Sequence, residues 1–128
     1  AKHVLFDSWF SYPVTIIRIM ELNLHTVCRL KNTKKIKYIF DGQRSTLSEI
    51  YKARKKRPGK ARYLLSVNSQ IYDAENTILD VKIVFVRDRN NKKKWIAILS
   101  TDLSLSEEEI IALYGKRWSI EVFFKVCK

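Results

Sequence analysis

Cysteine, histidine and glycine are scarce in this chain of 128 residues, which has two, two and three of them, respectively. Cys28 and Cys127 are too far apart for a disulfide framework or for zinc-ligand spacing, so both are interpreted as ordinary buried thiols. With only His3 and His25 beside them, a Cys/His metal site is not indicated. The sequence also has no glycine-rich phosphate loop, no Ser/His/Asp set and no context for a nucleophilic cysteine.

Long apolar runs are missing as well. No run reaches the length of a membrane span and no signal peptide opens the chain, so we expect a cytoplasmic protein. At 128 residues and 46% hydrophobic, the chain fits one domain or one large fragment of a domain.

Acidic residues are few relative to basic ones, with 13 Asp and Glu against 25 Lys and Arg and a formal net charge of +12. The excess is regional, because residues 29–62 contain thirteen bases and two acids. Such a charge favours an anionic partner, with nucleic acid the leading candidate. A membrane surface and simple solubility are alternatives that charge alone does not separate. The basic cluster at Lys55, Lys56 and Arg57 is interpreted as a contact to the DNA backbone, since lysines read charge and not base edges.

The first part of the chain has the pattern of a βαβ unit. His3–Phe6 is apolar and ends at Asp7, which is typical of a buried strand followed by an outward carboxylate. Pro13 fits the first turn of a mostly apolar helix over residues 13–22. His25–Leu30 is predicted to be the second strand, so a parallel pair in an α/β domain follows.

The middle of the chain is predicted to be rich in β-strands. Residues 36–40 alternate like a half-buried strand, Asp41-Gly42 is a turn signal, and residues 46–56 fit a short helix. Three strand-like runs follow, over residues 63–72, 81–86 and 95–99, the last two joined by a polar hairpin. This pattern indicates a β-rich insertion in an α/β scaffold.

The last segment, 107–128, is predicted to be one helix. Ser106 and Glu109 have the spacing of a capping box. At 3.6 residues per turn, one polar stripe of about 80° runs along an otherwise apolar helix, and its members are Tyr114, Arg117, Glu121, Lys125 and Lys128. A carboxylate among cations suits a metal ligand flanked by phosphate contacts. Ordinary ion pairs at i and i+4 explain the same spacing equally well.

The segment from Tyr114 to Lys128 resembles the Tyr-Arg-Glu-Lys signature of bacterial insertion-sequence DDE transposases. Every spacing matches: two residues separate Tyr114 from Arg117, three separate Arg117 from Glu121, and six separate Glu121 from Lys128. The strand at 95–101 and the segment Phe6-Asp7-Ser8-Trp9-Phe10 also resemble that family. The resemblance covers essentially the whole chain.

The resemblance implies a ribonuclease-H-like catalytic core, of which this chain is the C-terminal portion. Residues 1–31 would form a βαβ part of that core, 32–100 the basic β-rich insertion and return strand, and 101–128 the catalytic helix. Asp7 and Glu121 would be the catalytic, metal-binding acids of a two-metal site for Mg²⁺ or Mn²⁺. Tyr114, Arg117, Lys125 and Lys128 would contact phosphates of double-stranded DNA, both transposon ends and target. Such enzymes generally work as homodimers on paired ends.

The family also has a first catalytic Asp well before the second, whereas only six residues precede Asp7. We therefore expect the natural protein to begin upstream and this polypeptide alone to be inactive. Asp102 is the rival third ligand, because it follows a strand, although a loop role suits it better. The alternative function is a non-catalytic basic nucleic-acid-binding module, a remnant of a truncated element.

Overall fold

The computed structural model describes residues 3–6, 12–54, 56, 63–88 and 94–115, which contain seven strands in one mixed sheet. The strand order is β1-β2-β7-β6-β5-β3-β4. The elements are β1 (His3–Phe6), α1 (Pro13–Glu21), β2 (His25–Leu30), β3 (Tyr38–Phe40), β4 (Gln43–Ser45), α2 (Leu47–Ala53), β5 (Leu65–Tyr72), β6 (Ile78–Arg87), β7 (Trp95–Ser100) and α3 (Glu107–Gly115).

The predicted βαβ unit is confirmed. Strands β1 and β2 pair in parallel, with His3 opposite His25 and Phe6 opposite Cys28. Helix α1 connects them and begins at Pro13, as the sequence predicts, because a proline in the first turn lacks only an amide that would otherwise be unpaired. All other neighbouring strands in this sheet are antiparallel.

Both faces of the sheet are covered by helices. On one face, Ile16 and Ile17 of α1 join the buried cluster that also contains Leu47 and Ile50 of α2. On the other face, Ile110 of α3 belongs to a second buried cluster with Val27, Val84, Val86 and Ile98. Successive residues of a strand point to opposite faces, so neighbouring residues of β2 and β7 contribute to different clusters. The result is a three-layer α/β arrangement.

The strands of the middle segment extend the same sheet that contains β1 and β2. The predicted turn at Asp41-Gly42 is confirmed, and both residues have positive φ values, of 51° and 77°. Two such residues are what a tight two-residue hairpin requires, and Phe40 pairs with Gln43 across it. The second strand of this hairpin, β4, was not predicted, because it is short, polar and largely exposed.

Both short helices after the hairpin begin with reciprocal side-chain caps. The amide of Glu49 donates to Thr46 Oγ1 over 3.3 Å, and the amide of Thr46 donates to Glu49 Oε1 over 2.9 Å. The predicted box at α3 is confirmed, with equivalent distances of 3.2 and 3.1 Å between Ser106 and Glu109. Among the residues described, no helix has the length and apolar character needed to cross a membrane.

Candidate active site

Most of the predicted site residues lie outside the described residues. That group comprises Asp7, Lys55, Arg57, Arg117, Glu121, Lys125 and Lys128. Tyr114 and Lys56 are described. The structure therefore describes the elements that precede the undescribed residues in the sequence, chiefly β1 and α3.

Strands β1 and β2 end at the same edge of the sheet, here called the carboxyl edge, because they are parallel and in register. Asp7 directly follows Phe6, the last residue of β1. Lys31 directly follows Leu30, the last residue of β2. Carboxyl ends of parallel strands are where the connecting loops of an open α/β sheet meet, and such edges commonly carry ligand sites.

Helix α3 packs over the strands that lead to this edge. Its residue Ile110 is fully buried, and Leu113 and Tyr114 are half-buried against the same cluster, which also includes Leu5 of β1. Tyr114 is thus partly a packing residue, and its predicted contact to DNA stays a prediction. The helix follows β7, which runs antiparallel to β2, so α3 starts near the opposite edge of the sheet.

At that opposite edge, His3 and Asp102 form a pair that joins the start of β1 to the connection before α3. His3 Nε2 lies 2.8 Å from Asp102 Oδ2, with side-chain exposures of 22% and 14%. The His3 ring also stacks on the ring of His25, with centroids 5.7 Å apart. His25 Nδ1 lies 3.2 Å from Thr101 Oγ1, which accepts a hydrogen bond of 2.8 Å from the amide of Thr26. We call His3, His25, Thr101 and Asp102 the histidine clasp.

Asp102 is held as an ionised group within this clasp. The hydrogen bond from the Ser104 side chain lowers the pKa of Asp102 most, burial opposes the shift, and His3 and the Ser104 amide lower it further, to about 2. Asp102 lies at the amino end of β1, whereas Asp7 follows its carboxyl end, and four residues of strand span roughly 13 Å. Asp102 is therefore poorly placed to share a metal ion with Asp7, which favours its loop role.

The start of α3 is also attached to β6. Lys82 Nζ lies 3.4 Å from Glu107 Oε2 and donates to the carbonyl of Leu105 over 3.2 Å. Burial raises the pKa of Glu107, but hydrogen bonds from Ser66 and from its own backbone amide, together with the Lys82 ammonium, outweigh burial and leave the pKa below its ordinary value. Two sets of contacts thus hold the amino end of α3 against the sheet.

The other acids of the described chain do not assemble into a metal site. Asp41 lies in the β3–β4 turn and pairs with Arg54 over 2.7 Å, and Asp73 accepts amide hydrogen bonds within its own turn. Asp80 lies inside β6, where it accepts a hydrogen bond from Gln70. Across the described ranges, no group of three His, Cys, Asp or Glu side chains could hold a metal ion.

Of the predicted basic cluster, Lys56 is described, and it packs on an aromatic group. Its Nζ lies 4.2 Å from the centroid of the Tyr51 ring, which stacks on Trp95 at 4.8 Å. Phe85 contacts both rings. In such a contact, the aromatic ring orders the methylene chain of the lysine while the ammonium group stays at the surface.

Comparison with known proteins gives a family for the whole chain. Residues 1–128 match the family described as "Transposase DDE domain". Because the match covers the complete chain, this protein belongs to the transposase DDE domain family. No curated protein and no solved structure matched it.

Family membership agrees with the fold, since a mixed α/β sheet covered by helices suits a ribonuclease-H-like DDE domain. The predicted family, DDE transposase, is thereby confirmed. The Tyr-Arg-Glu-Lys signature itself stays a prediction. The roles of individual residues in the site stay predictions.

Proposed function

We propose that this chain is part of the DNA-cutting core of a DDE transposase, with Asp7 and Glu121 as its metal-binding carboxylates. The reaction class is phosphoryl transfer on DNA: hydrolysis of a phosphodiester at a transposon end, followed by attack of the freed 3′-hydroxyl on target DNA. Family membership supports the reaction class. The packing of α3 supports the choice of residues.

The observation that carries the proposal is the burial of Ile110 on the sheet-facing side of α3. Glu121 comes eleven residues later, so at 100° per residue a continued helix presents both on the same side, within about 20°. The helix axis advances about 16 Å over that distance. On such a continued helix, the side that faces the sheet at Ile110 would carry Glu121 toward the carboxyl edge.

Asp7 directly follows β1 in the sequence, so we expect it at the same edge of the sheet. Val27 is opposite Leu5, and Asp7 comes two residues after Leu5, which corresponds to about 7 Å if the chain continues extended. Both carboxylates would then lie at the end of the apolar layer and not within it, where an unpaired charge would be strongly unfavourable. The proposed arrangement would bring two acids from distant parts of the sequence to one crevice.

Two carboxylates at one crevice fit a site for Mg²⁺ or Mn²⁺, because both ions prefer hard oxygen ligands. Asp7 and Glu121 would hold such ions, which would supply Lewis-acid activation of a water molecule or a 3′-hydroxyl and charge stabilisation of the leaving oxygen at phosphorus. In this proposal, the role of the chain is to hold the two acids on rigid elements and to neutralise the charge of the substrate with nearby basic residues. A rigid strand end and a buried helix limit reorganisation when substrate binds.

The basic residues of the same helix stripe would contact DNA phosphates. Arg117, Lys125 and Lys128 share the side of Glu121 on a continued helix, and Tyr114 opens the stripe. Lys55, Lys56 and Arg57 would extend the contact to the flanking backbone. Contacts of this kind position the duplex without reading its sequence.

The proposal assigns two of the three catalytic carboxylates to this chain and the third to a residue outside it. Residues 1–31 and 101–128 would then belong to the catalytic core, and 32–100 to an insertion that shares its sheet. The partners are double-stranded transposon ends and target DNA, engaged by a homodimer in the cytoplasm.

A metal-dependent nicking assay on supercoiled DNA bearing a transposon end tests this proposal. The complete transposase is expected to nick in Mg²⁺, and Glu121→Gln and Asp7→Asn should each abolish nicking, whereas Asp80→Asn should not. The chain of 128 residues alone is expected to be inactive. Robust nicking by this chain that disappears in Glu121→Ala would refute the assignment of a third carboxylate outside it. A complete protein whose nicking survives Glu121→Gln would refute the site.

A further inference from the structure

We propose that a cleft between the loop after β2 and helix α2 binds phosphates of the DNA backbone through Lys34, Lys37 and Lys52. This inference rests on the proposed function, because it takes duplex DNA as the ligand. The cleft has a volume of about 600 Å³, and Asn32, Thr33 and Ser48 complete its polar lining, with Thr46 and Glu49 at one side. We call it the lysine cleft.

The positive charge of the lysine cleft exceeds the negative charge of its lining, which contains three lysines and one acid, Glu49. All three lysines are exposed, and none forms an ion pair with a carboxylate of the described residues. By contrast, Arg54 pairs with Asp41, and Lys82 pairs with Glu107. Three exposed ammonium groups that line one cleft beside a single carboxylate repel one another, and an anion relieves that repulsion.

The one acid in the cleft lining is already engaged. Glu49 Oε1 accepts the amide of Thr46 in the capping box of α2. That backbone hydrogen bond, followed by the one from the Thr46 side chain, keeps the pKa of Glu49 below its ordinary value. The Lys37 ammonium lowers this pKa as well, so Glu49 offsets one positive charge and the cleft keeps a net positive charge for an external anion.

A neutral donor is also oriented in the cleft. The hydroxyl of Ser48 donates to Asn32 Oδ1 over 3.1 Å, which occupies the acceptor side of the Asn32 amide. The group left for a ligand is Nδ2, which can only donate. Amide and hydroxyl donors beside lysines are the usual side-chain contacts to DNA phosphate oxygens.

The position of the cleft connects it to the proposed active site. The loop that lines it begins at Lys31, at the carboxyl edge next to the end of β1. Lys31 Nζ donates to the hydroxyl of Tyr12, which immediately precedes α1 at the same edge. A duplex held at this edge can therefore continue along the loop into the lysine cleft.

The test is the salt dependence of binding to a fluorescent DNA duplex of arbitrary sequence. The variant is Lys34→Gln/Lys37→Gln/Lys52→Gln. Its control, Arg18→Gln/Lys35→Gln/Lys94→Gln, removes the same charge from three exposed residues that do not line the cleft. If each cleft lysine neutralises one phosphate, the slope of log K against log salt becomes shallower by about 2.7 in the cleft variant. The control should retain the wild-type slope.

Equal slopes in the cleft variant and the wild type would overturn the proposal, as would equal losses in the cleft and control variants. Weaker binding to vesicles containing phosphatidylserine with unchanged DNA binding would also overturn it and indicate a membrane surface as the ligand. If the cleft proposal fails, the nicking assay still tests the proposed function, because none of the three lysines is assigned to catalysis. Conversely, a cleft-dependent slope in a protein that never nicks DNA would refute the proposed function alone.

Discussion

Replacing Asp102 by asparagine removes the charge at the centre of the histidine clasp while keeping the size of the side chain. In the folded protein this carboxylate accepts from His3 at 2.8 Å and from the Ser104 amide at 3.0 Å, with an additional bond from the Ser104 hydroxyl. A hydrogen bond to a charged group contributes roughly 1.5–3 kcal/mol, and partial exposure reduces that value. We expect Asp102→Asn to lower the free energy of unfolding at pH 7 by about 2 kcal/mol.

Urea unfolding followed by tryptophan fluorescence measures this loss. With a slope of about 1–3 kcal/mol per molar urea for a small domain, the midpoint should fall by roughly 1 M. A double-mutant cycle that combines Asp102→Asn with His3→Gln measures the interaction energy of the pair, because the stability losses of residues in contact are not additive. The isosteric control is Asn76→Asp, an exposed turn position that leaves the clasp unchanged.

The pH dependence of the stability loss in the same variant tests whether the loss comes from the Asp102 charge. The pKa of Asp102 is lowered from 3.8 to about 2 in the folded protein. A lowered pKa means that the stabilisation is fully present above about pH 4 and disappears as the pH falls toward 2. The difference between wild type and Asp102→Asn should therefore shrink as the pH falls from about 4 toward 2. A difference that does not change down to pH 2, or a loss well under 1 kcal/mol at pH 7, would refute this account of the clasp.

Three further substitutions test the packing and the caps by urea unfolding. Ile110→Ala should cost about 2–5 kcal/mol, because it empties the fully buried contact between α3 and the sheet; a loss below about 1 kcal/mol would mean that α3 is not anchored there. Tyr38→Phe should stabilise the fold by up to about 1 kcal/mol, since within the described residues the buried Tyr38 hydroxyl has no hydrogen-bond partner; a clear loss would reveal one. Thr46→Ala should cost about 1 kcal/mol by removing the cap of α2, and Thr46→Ser should restore most of it; equal stability of all three proteins would contradict the role of the cap.

Local signals in the sequence were sufficient for much of the fold. Pro13 marks the start of α1, Ser106 and Glu109 mark the start of α3, and Asp41-Gly42 marks the hairpin. Each of these signals acts within a few residues, so tertiary structure did not need to be known. Strand β4 was missed because its polar, exposed residues have no hydrophobic period.

Features that depend on long-range convergence were not predictable from the sequence. His3 and Asp102 are 99 residues apart, and neither stands in a motif. The lysine cleft unites residues of a loop and of α2 that the sequence shows only as part of a broad basic excess. The spacing from Tyr114 to Lys128 was sufficient to predict the family, because a motif of fixed spacing can be read directly from the sequence. The proposed meeting of Asp7 and Glu121 depends on how α3 crosses the sheet, which no local pattern specifies.

Binding of Mn²⁺ followed by electron paramagnetic resonance tests that meeting most directly. In the chain of 128 residues, Asp7→Asn and Glu121→Gln should each remove the same bound Mn²⁺, and the double variant should lose no more than either single one, because two ligands of one site are not additive. Asp80→Asn, an exposed acid of β6, should bind Mn²⁺ as the wild type does. Retention of the bound Mn²⁺ in Glu121→Gln, or removal of two separate ions by the two variants, would contradict a shared site.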